Sequence, residues 1–244
     1  MAVATFRFYE ELNDFLPPSQ RKRDIPLAFE PPVPVRHLIE TLGVPHTEVE
    51  LILVDGHSVG LEQRLEGDER ISVYPQFETL DVTPLLRIRD RPLRDTRFIA
   101  DAHLGKLARY LRLLGFDTLY RNDMGDDQLV RCAENERRIL LTRDRSLLMR
   151  RDLSRGCYVR QQPLRAQIAN LLRRLDLYRS IRPFTRCMCC NGRLHEVPKE
   201  EVMALLPAGA RMAFDTFWRC ESCGRVYWKG SHYDRLKAFV SSLS

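Results

Sequence analysis

The sequence lacks several features that would each assign it to a familiar class of protein. No apolar run approaches the ~20 residues that a membrane-spanning helix requires, so no membrane span is expected. The first residues lack the basic and apolar segments of a secretory signal, which predicts a cytoplasmic protein. Neither a G-x-x-x-x-G-K-[ST] nor a G-x-G-x-x-G motif is present, which argues against nucleoside triphosphatases and dinucleotide-dependent dehydrogenases. No Ser-His-Asp or Cys-His arrangement is evident.

Positive charge is concentrated in one part of the chain. The 244 residues carry a formal net charge of +6. Residues 1–88 hold 8 Lys and Arg against 15 Asp and Glu, a net of −7, while residues 89–244 hold 31 against 18, a net of +13. An acidic module therefore precedes a basic one, and the basic one is expected to bind a polyanion.

The first module, residues 1–85, has the pattern of a β-grasp (ubiquitin-like) domain. Its strand-like segments read ATFRFYE, IPLAFE, ELILVDGHSVG and GDERISVYP. A short helix is predicted to begin near Pro34 and to end at Gly43, a residue typical of the position after a helix. An arginine-rich linker at residues 83–97 is expected to follow the domain.

Residues 96–180 alternate between strand-like and helical patterns. The strand-like segments are RFIAD, FDTLYR, RRILLTRD and GCYVRQ, and each is followed by a helical pattern. This alternation predicts an α/β domain with a parallel sheet covered by helices. Residues 181–244 hold five of the seven cysteines and are expected to form a third module.

Aspartates recur where the predicted strands of the α/β region end. Asp101 ends the first strand, Asp144 ends the third, and Asp123, Asp126 and Asp127 follow the second. Because the carboxyl ends of parallel strands meet at one edge of a sheet, these carboxylates are expected to converge. Carboxylate oxygens suit Mg²⁺ or Mn²⁺, which can activate water for phosphodiester hydrolysis.

A competing interpretation assigns some of these aspartates to helix capping. Asp126 and Asp144 each precede a predicted helix, where Asp is a favoured cap. Asp126 fits that interpretation better than metal binding, which leaves Asp101, Asp127 and Asp144 as the main candidates. Asp117 begins its strand at the opposite edge of the sheet and is not included.

Basic residues near these aspartates are candidates for contacting substrate phosphates: Lys106, Arg109, Arg112, Arg143 and Arg145. The first three recur at a spacing of three along the first helix of the α/β region, away from its leucines. They could neutralise phosphates, or they could form an ordinary solvated helix face.

Two C-x-x-C pairs are the most specific motif in the chain. Cys187 and Cys190 form one pair, and Cys220 and Cys223 form the other, a spacing that predicts a four-thiolate zinc ribbon. Cys189 belongs to neither pair, although it could replace a neighbouring cysteine as a zinc ligand. Basic and aromatic residues interleave around the pairs, which suits RNA binding. The alternative is that the rings pack the ribbon itself, an interpretation that is favoured for Trp218.

Together, these segments resemble a known family. FIADAHLGKLARYLRLLGFDTLYRND, DDQL, RILLTRDR, the cysteine pairs and YWKGSHY resemble the Mut-seven C-terminal ribonuclease family, which is regarded as PIN-like with an appended zinc ribbon. TFRFYEELNDFLP, GVPHTEVELILVDG and VYPQFE resemble the ubiquitin-like domain that precedes it in many bacterial members. The resemblance implies a metal-dependent ribonuclease with structural zinc and with Mg²⁺ or Mn²⁺ at Asp101, Asp127 and Asp144. The expected partner is RNA, including structured RNA such as tRNA.

Other functions remain open on the sequence alone. The ubiquitin-like segment is also similar to small sulfur carriers that end in Gly-Gly, but this chain reads VYPQFETLD there and continues, so carrier chemistry is not expected. A non-catalytic RNA-binding protein would use the ribbon and the basic helix while its aspartates cap helices. The acidic first module could also dock a protein partner, or lie over the basic module and restrain it.

Overall fold

The computed structural model describes residues 1–76, 85, 87–88 and 97–243. Most of the predicted linker therefore lies outside the described residues. None of the described helices is long and apolar enough to cross a membrane. The chain forms two compact units that each combine two stretches of sequence: Met1–Asp95 with Gly125–Arg160, and Thr96–Met124 with Gln161–Ser244. The domain boundaries expected at residues 85, 96 and 180 remain predictions.

The first 76 residues form the predicted β-grasp fold. The main sheet has the strand order β2-β1-β7-β4-β5, in which β1 and β7 run parallel and the other neighbours run antiparallel, and β3 pairs with β6. The elements are β1 (Ala2–Phe8), β2 (Ile25–Phe29), β3 (Val33–Pro34), α1 (Val35–Thr41), β4 (Leu51–Val54), β5 (His57–Val59), β6 (Arg64–Leu65) and β7 (Arg70–Tyr74).

Sequence pattern accounts for the core of this domain. Ala4, Phe6 and Phe8 of β1 are buried, because successive side chains of a strand point to opposite faces. Helix α1 begins directly after Pro34. Gly43 follows its C-terminal end with a φ of 89°, a left-handed conformation that glycine adopts without steric cost. The predicted start and stop of this helix are therefore confirmed.

The α/β region alternates strands and helices as predicted. Its elements are β8 (Phe98–Ala100), α2 (Gly105–Leu113), β9 (Thr118–Tyr120), α3 (Asp126–Asn135), β10 (Ile139–Thr142), α4 (Arg145–Leu148), β11 (Gly156–Tyr158) and α5 (Leu164–Arg174). Strands β8 and β9 run parallel, and so do β10 and β11. The first pair belongs to the second unit with α2 and α5, and the other pair belongs to the first unit with α3 and α4.

The cysteine-rich region contains an antiparallel sheet of strand order β12-β13-β14. Its small apolar core is formed by Val197, Val202, Leu206, Ala210 and Phe217. The elements are β12 (Leu194–Val197), α6 (Lys199–Val202), α7 (Ala208–Ala213), β13 (Phe217–Cys220), β14 (Val226–Trp228) and α8 (Ser231–Ser241).

Within the first unit, the β-grasp domain packs against α4 and β11. The Thr47 hydroxyl donates a hydrogen bond of 3.1 Å to the Leu148 carbonyl, and the Tyr158 amide donates to the Glu48 carboxylate. The Phe15 ring lies 5.6 Å from the Tyr158 ring, measured between centroids. Specific polar and aromatic contacts thus join the acidic domain to this part of the basic region.

Candidate functional site

Asp101 lies directly after β8, at the strand end where the sequence places it. The next residues form a 3-10 helix, Ala102–Leu104, and the backbone carbonyl of Asp101 accepts a 2.8 Å hydrogen bond from Leu104. The residue is half-buried. The strand-end position of this carboxylate is therefore confirmed, and its role as a metal ligand remains a prediction.

Asp144 is the N-cap of α4. Its Oδ1 atom accepts hydrogen bonds from the Ser146 amide at 2.7 Å, the Ser146 hydroxyl at 2.6 Å and the Leu147 amide at 3.4 Å. The hydrogen bond from the Ser146 side chain, with the two amides, lowers the pKa of Asp144 despite partial burial. The capping interpretation is thus confirmed for Asp144, and it keeps the carboxylate ionised, which a cation ligand also requires.

Asp127 lies in the first turn of α3 and is mostly exposed. Its Oδ1 accepts a short hydrogen bond from the Arg150 guanidinium, which also bonds both carboxylate oxygens of Asp152. Arg150 thus places a positive charge against this carboxylate. Sequence reasoning did not single out Arg150, which lies 23 residues further along the chain in a segment with no recognisable motif.

The capping prediction for Asp126 is wrong. The N-cap of α3 is Gly125, whose amide donates a 3.3 Å hydrogen bond to the side-chain oxygen of Gln128. Asp126 instead occupies the first helical position, where its negative charge interacts favourably with the helix dipole. Asp123, the remaining aspartate after the second predicted strand, is exposed and forms an ion pair of 2.8 Å with Arg121.

The basic stripe on α2 is shorter than expected. Lys106 and Arg109 are exposed, but Arg112 is only 4% exposed, so its predicted place on the surface stripe is wrong. Its guanidinium donates to the backbone carbonyls of Thr118 at 2.8 Å, Met188 at 3.3 Å and Cys189 at 2.6 Å. Arg112 therefore joins α2 and β9 to the first cysteine pair and is not available to a substrate.

The two arginines beside Asp144 differ in their surroundings. Arg143 is half-buried. Arg145 lies with its guanidinium carbon 5.3 Å from the centre of the Phe15 ring and 5.4 Å from that of the Tyr158 ring. Its Nη1 also donates to the Phe15 carbonyl at 3.4 Å. Arg145 thus contacts the β-grasp domain, and contact with a substrate remains a prediction for both arginines.

The four predicted cysteines form a compact group of potential metal ligands. The sulfur atoms of Cys187, Cys190, Cys220 and Cys223 all lie within 4.8 Å of one another. The Cys187–Cys223 and Cys190–Cys220 distances are 3.7 and 3.3 Å. Zinc bound by thiolates at ~2.3 Å in a tetrahedron separates its sulfur atoms by roughly 3.8 Å, so the group fits this metal. Cys189 is exposed and lies outside the group.

Local hydrogen bonds prepare one of these thiols for metal binding. Burial alone would raise the pKa of Cys187, but hydrogen bonds from the Tyr227 hydroxyl and from nearby amides outweigh it and lower the pKa to about 7. The close backbone is also necessary: a side-chain carbon at Gly192 would lie 2.8 Å from the Cys220 sulfur. The site therefore depends on the tight turn at Gly192 as well as on the four cysteines themselves.

Asn191 fastens the first cysteine pair to β9. Its side-chain oxygen accepts a 3.0 Å hydrogen bond from the Thr118 amide, and its side-chain nitrogen donates to Asp117 at 2.8 Å. Arg186 contacts the other Asp117 oxygen at 3.5 Å. Asp117, which strand polarity excluded from the aspartate cluster, thus has a structural role that no local sequence motif indicated.

Comparison with known proteins identifies the class and the family. Residues 96–240 match the model of the Mut7-C RNAse domain, so the protein is of the nuclease type. Since this match covers more than half of the 244 residues, the chain belongs to the Mut7-C RNAse domain family. Residues 1–81 match the model of Mut7-C ubiquitin, which agrees with the β-grasp fold.

More distant comparisons add little. No curated protein matches the chain significantly. Among solved structures, the small archaeal modifier protein 1 of H. volcanii is similar over 31% of this chain and 98% of its own, with 11% sequence identity and a TM-score of 0.26.

Proposed function

We propose that this protein is a metal-dependent ribonuclease that hydrolyses RNA phosphodiester bonds. The observation that carries the proposal is the match of residues 96–240 to a ribonuclease domain. The positions of two aspartates agree with this proposal: Asp101 directly follows β8, and Asp144 lies two residues after the end of β10. Ligands of open α/β sheets bind beyond the carboxyl ends of the strands. The strongly basic charge of residues 89–244 supports a polyanionic substrate.

In this proposal, Asp101, Asp127 and Asp144 hold Mg²⁺ or Mn²⁺. The bound cation would supply an activated water and stabilise the leaving oxygen of the phosphodiester. The Ser146 hydrogen bonds keep Asp144 ionised, as a ligand must be. Arg150 competes for Asp127, so cation binding there requires Arg150 to turn toward Asp152 alone.

The exposed cations of α2 would contact the RNA backbone. Lys106 and Arg109 follow Asp101 by one and two helical turns and have no structural task comparable to that of Arg112. Arg143 and Arg145 are further candidates for this contact because they flank Asp144. The four cysteines would hold a structural Zn²⁺, since a site with four protein ligands leaves no position for a substrate.

Cleavage of a structured RNA such as a tRNA tests the metal assignment. We expect cleavage only with added Mg²⁺ or Mn²⁺, and a loss of at least ~100-fold in Asp101→Asn and Asp127→Asn, on the scale of losing a group that positions catalytic charge. Asp126→Asn is the matched control, because it removes the same charge from the adjacent exposed position. Full activity of the Asp101→Asn protein would exclude the assignment.

Non-catalytic RNA binding is the second candidate. The hydrogen bonds that Asp144 accepts as a helix cap and the ion pair of Asp127 with Arg150 favour it, because both carboxylates have a structural use. This function predicts salt-sensitive RNA binding without metal-dependent cleavage. The same RNA, incubated with and without Mn²⁺ and analysed for fragments, distinguishes the two candidates.

We also infer that the β-grasp domain docks a protein partner or restrains the nuclease region. Its contacts with α4 and β11 support the second possibility within the first unit. Glu48→Gln and Thr47→Val weaken these contacts without truncating the chain. Restraint predicts faster RNA cleavage by the Glu48→Gln, Thr47→Val double variant, and an unchanged rate contradicts it.

A further inference from the structure

A cleft in the second unit lies between α2 and the cysteine-rich region. Its volume is about 900 Å³, and a neighbouring cavity of about 530 Å³ shares Arg109, Tyr120 and His232 with it and reaches Lys106. Ligand pockets span roughly 300–1,000 Å³, so the cleft has room for more than a single small group. It does not include the cysteine ligands that define the metal site, although Cys189 lines it.

Every charged side chain that lines the cleft is basic. Arg109, Arg225 and Lys229 are exposed, whereas Arg112 is already engaged by backbone carbonyls. Cations on low-dielectric walls concentrate anions, and no carboxylate of the lining opposes them. The charge of the cleft therefore favours a ligand with several phosphates.

The cleft also presents half-buried aromatic rings. Trp218, Trp228 and Tyr120 line it, and the Lys229 ammonium lies 5.3 Å from the centre of the Trp218 ring. The Tyr120 hydroxyl donates to the Ala102 carbonyl at 3.0 Å, which holds its ring in place. Nucleic-acid bases stack on rings of this kind wherever the bases are not paired.

The sheet register shows that Trp218 is not part of the ribbon's own core. Phe217 is fully buried in that core, and Trp218 follows it in β13, so the two side chains point to opposite faces. Trp218 pairs across the strands with Tyr227 rather than with a core residue. Trp218 therefore lies on the face of the sheet opposite to this core, whereas Trp228, which pairs with Phe217, packs against the core.

Within the second unit, close packing places one end of this cleft near Asp101. A side-chain carbon at Gly105 would lie 2.6 Å from the Tyr120 ring, so glycine allows that ring to lie against the start of α2. Gly105 follows the 3-10 helix whose N-cap is Asp101. An RNA strand in the cleft would thus pass one short helical turn from Asp101.

We propose that this cleft binds two or more unpaired nucleotides of an RNA strand, with bases against Trp218 and Tyr120 and phosphates against Arg109, Arg225 and Lys229. The proposal rests on the proposed ribonuclease function for the identity of the ligand. It adds that the protein recognises single-stranded segments next to the bond that is cut. A continuous duplex is excluded, because its bases are stacked and paired inside the helix.

Tryptophan fluorescence tests the proposal directly. The chain has two tryptophans, and both line the cleft. Titration of the full-length, zinc-loaded protein with a short single-stranded RNA, without added Mg²⁺ or Mn²⁺, is expected to quench this fluorescence. A blunt duplex of the same sequence should quench it at least tenfold less effectively. Equal quenching by the duplex, or equally tight binding of AMP, overturns the proposal.

Variants identify which charges take part. If three cations contact phosphates, the logarithm of the RNA association constant should fall with log[salt] with a slope of about −2. Lys229→Ala removes one of these contacts and should make the slope less negative by about 0.7. Lys237→Ala, an exposed lysine of α8 that does not line the cleft, is the matched control. Trp218→Leu should weaken binding by roughly 5- to 150-fold, with zinc content and thermal unfolding measured to verify its fold.

These measurements separate the cleft from the proposed activity. Quenching by single-stranded RNA without any metal-dependent cleavage supports the cleft and refutes the ribonuclease assignment. Metal-dependent cleavage with unchanged fluorescence, or equal effects of Lys229→Ala and Lys237→Ala on binding, overturns the cleft and leaves the ribonuclease assignment standing.

Discussion

Replacing Arg112 by methionine should destabilise the second unit strongly without removing a metal ligand. Methionine keeps the aliphatic bulk but loses three hydrogen bonds, to the carbonyls of Thr118, Met188 and Cys189. A buried carbonyl left without a donor costs ~1–3 kcal/mol. Because the carbonyl beside the exposed Cys189 can bind water instead, we expect the free energy of unfolding to fall by ~2–5 kcal/mol in total. A whole domain has only ~5–15 kcal/mol of stability, so the effect should be large.

Urea unfolding of the zinc-loaded protein measures this change. Arg109→Met is the matched control: it removes the same charge from an exposed position one turn earlier on α2, and should alter the free energy of unfolding by no more than ~0.5 kcal/mol. RNA binding should respond in the opposite way, since Arg109 lines the cleft and Arg112 is engaged internally. Equal stability of the two variants, with RNA binding lost only in Arg112→Met, would refute the structural role of Arg112.

Three further predictions concern the first unit and the cysteine site. Burial would raise the pKa of Glu40, but the hydrogen bonds and charges of His46 and Arg36 together outweigh burial and lower the pKa. This carboxylate therefore stabilises the fold fully above its unfolded pKa of ~4.3, and in urea unfolding the advantage of wild type over Glu40→Gln should vanish as the pH falls through the lowered pKa of the folded state. Zinc affinity, measured by chelator competition, should rise with pH because Zn²⁺ displaces protons from the thiols, among which Cys187 has a pKa of about 7; a pH-independent affinity contradicts this. Asn191→Gly retains the left-handed backbone, at a φ of 76°, but loses the hydrogen bond to Asp117 and the one from the buried Thr118 amide. The free energy of unfolding should therefore fall by ~1–3 kcal/mol while the zinc content stays unchanged.

Local sequence pattern predicted most of the secondary structure. The alternation around Phe6 and the helix between Pro34 and Gly43 both agree with the structure, because side-chain periodicity and glycine conformation are properties of a few neighbouring residues. Cysteine spacing likewise predicted the metal-ligand group, since each C-x-x-C pair lies in one knuckle turn. The strand-end positions of Asp101 and Asp144 followed from strand length and polarity.

The failures share a physical cause. Arg112 appears on a helical projection as one of three basic residues at a regular spacing, and nothing local distinguishes it from Arg109. Its burial depends on carbonyls of Met188 and Cys189, which lie 76 and 77 residues further along the chain. The pairing of Asp127 with Arg150 has the same origin, because two distant segments meet only after folding.

The sequence by itself determined the β-grasp fold of the first 76 residues, the alternation of strands and helices after residue 97, the group of four cysteines and the charge that favours a polyanion. These depend on composition, on periodicity and on spacings within a single turn or strand. Tertiary structure alone decided which basic side chains donate hydrogen bonds to buried backbone carbonyls and which remain exposed. It also placed Arg109 in the same cleft as Trp218. Those outcomes depend on contacts between segments far apart in the chain, for which a sequence pattern of a few residues carries no information.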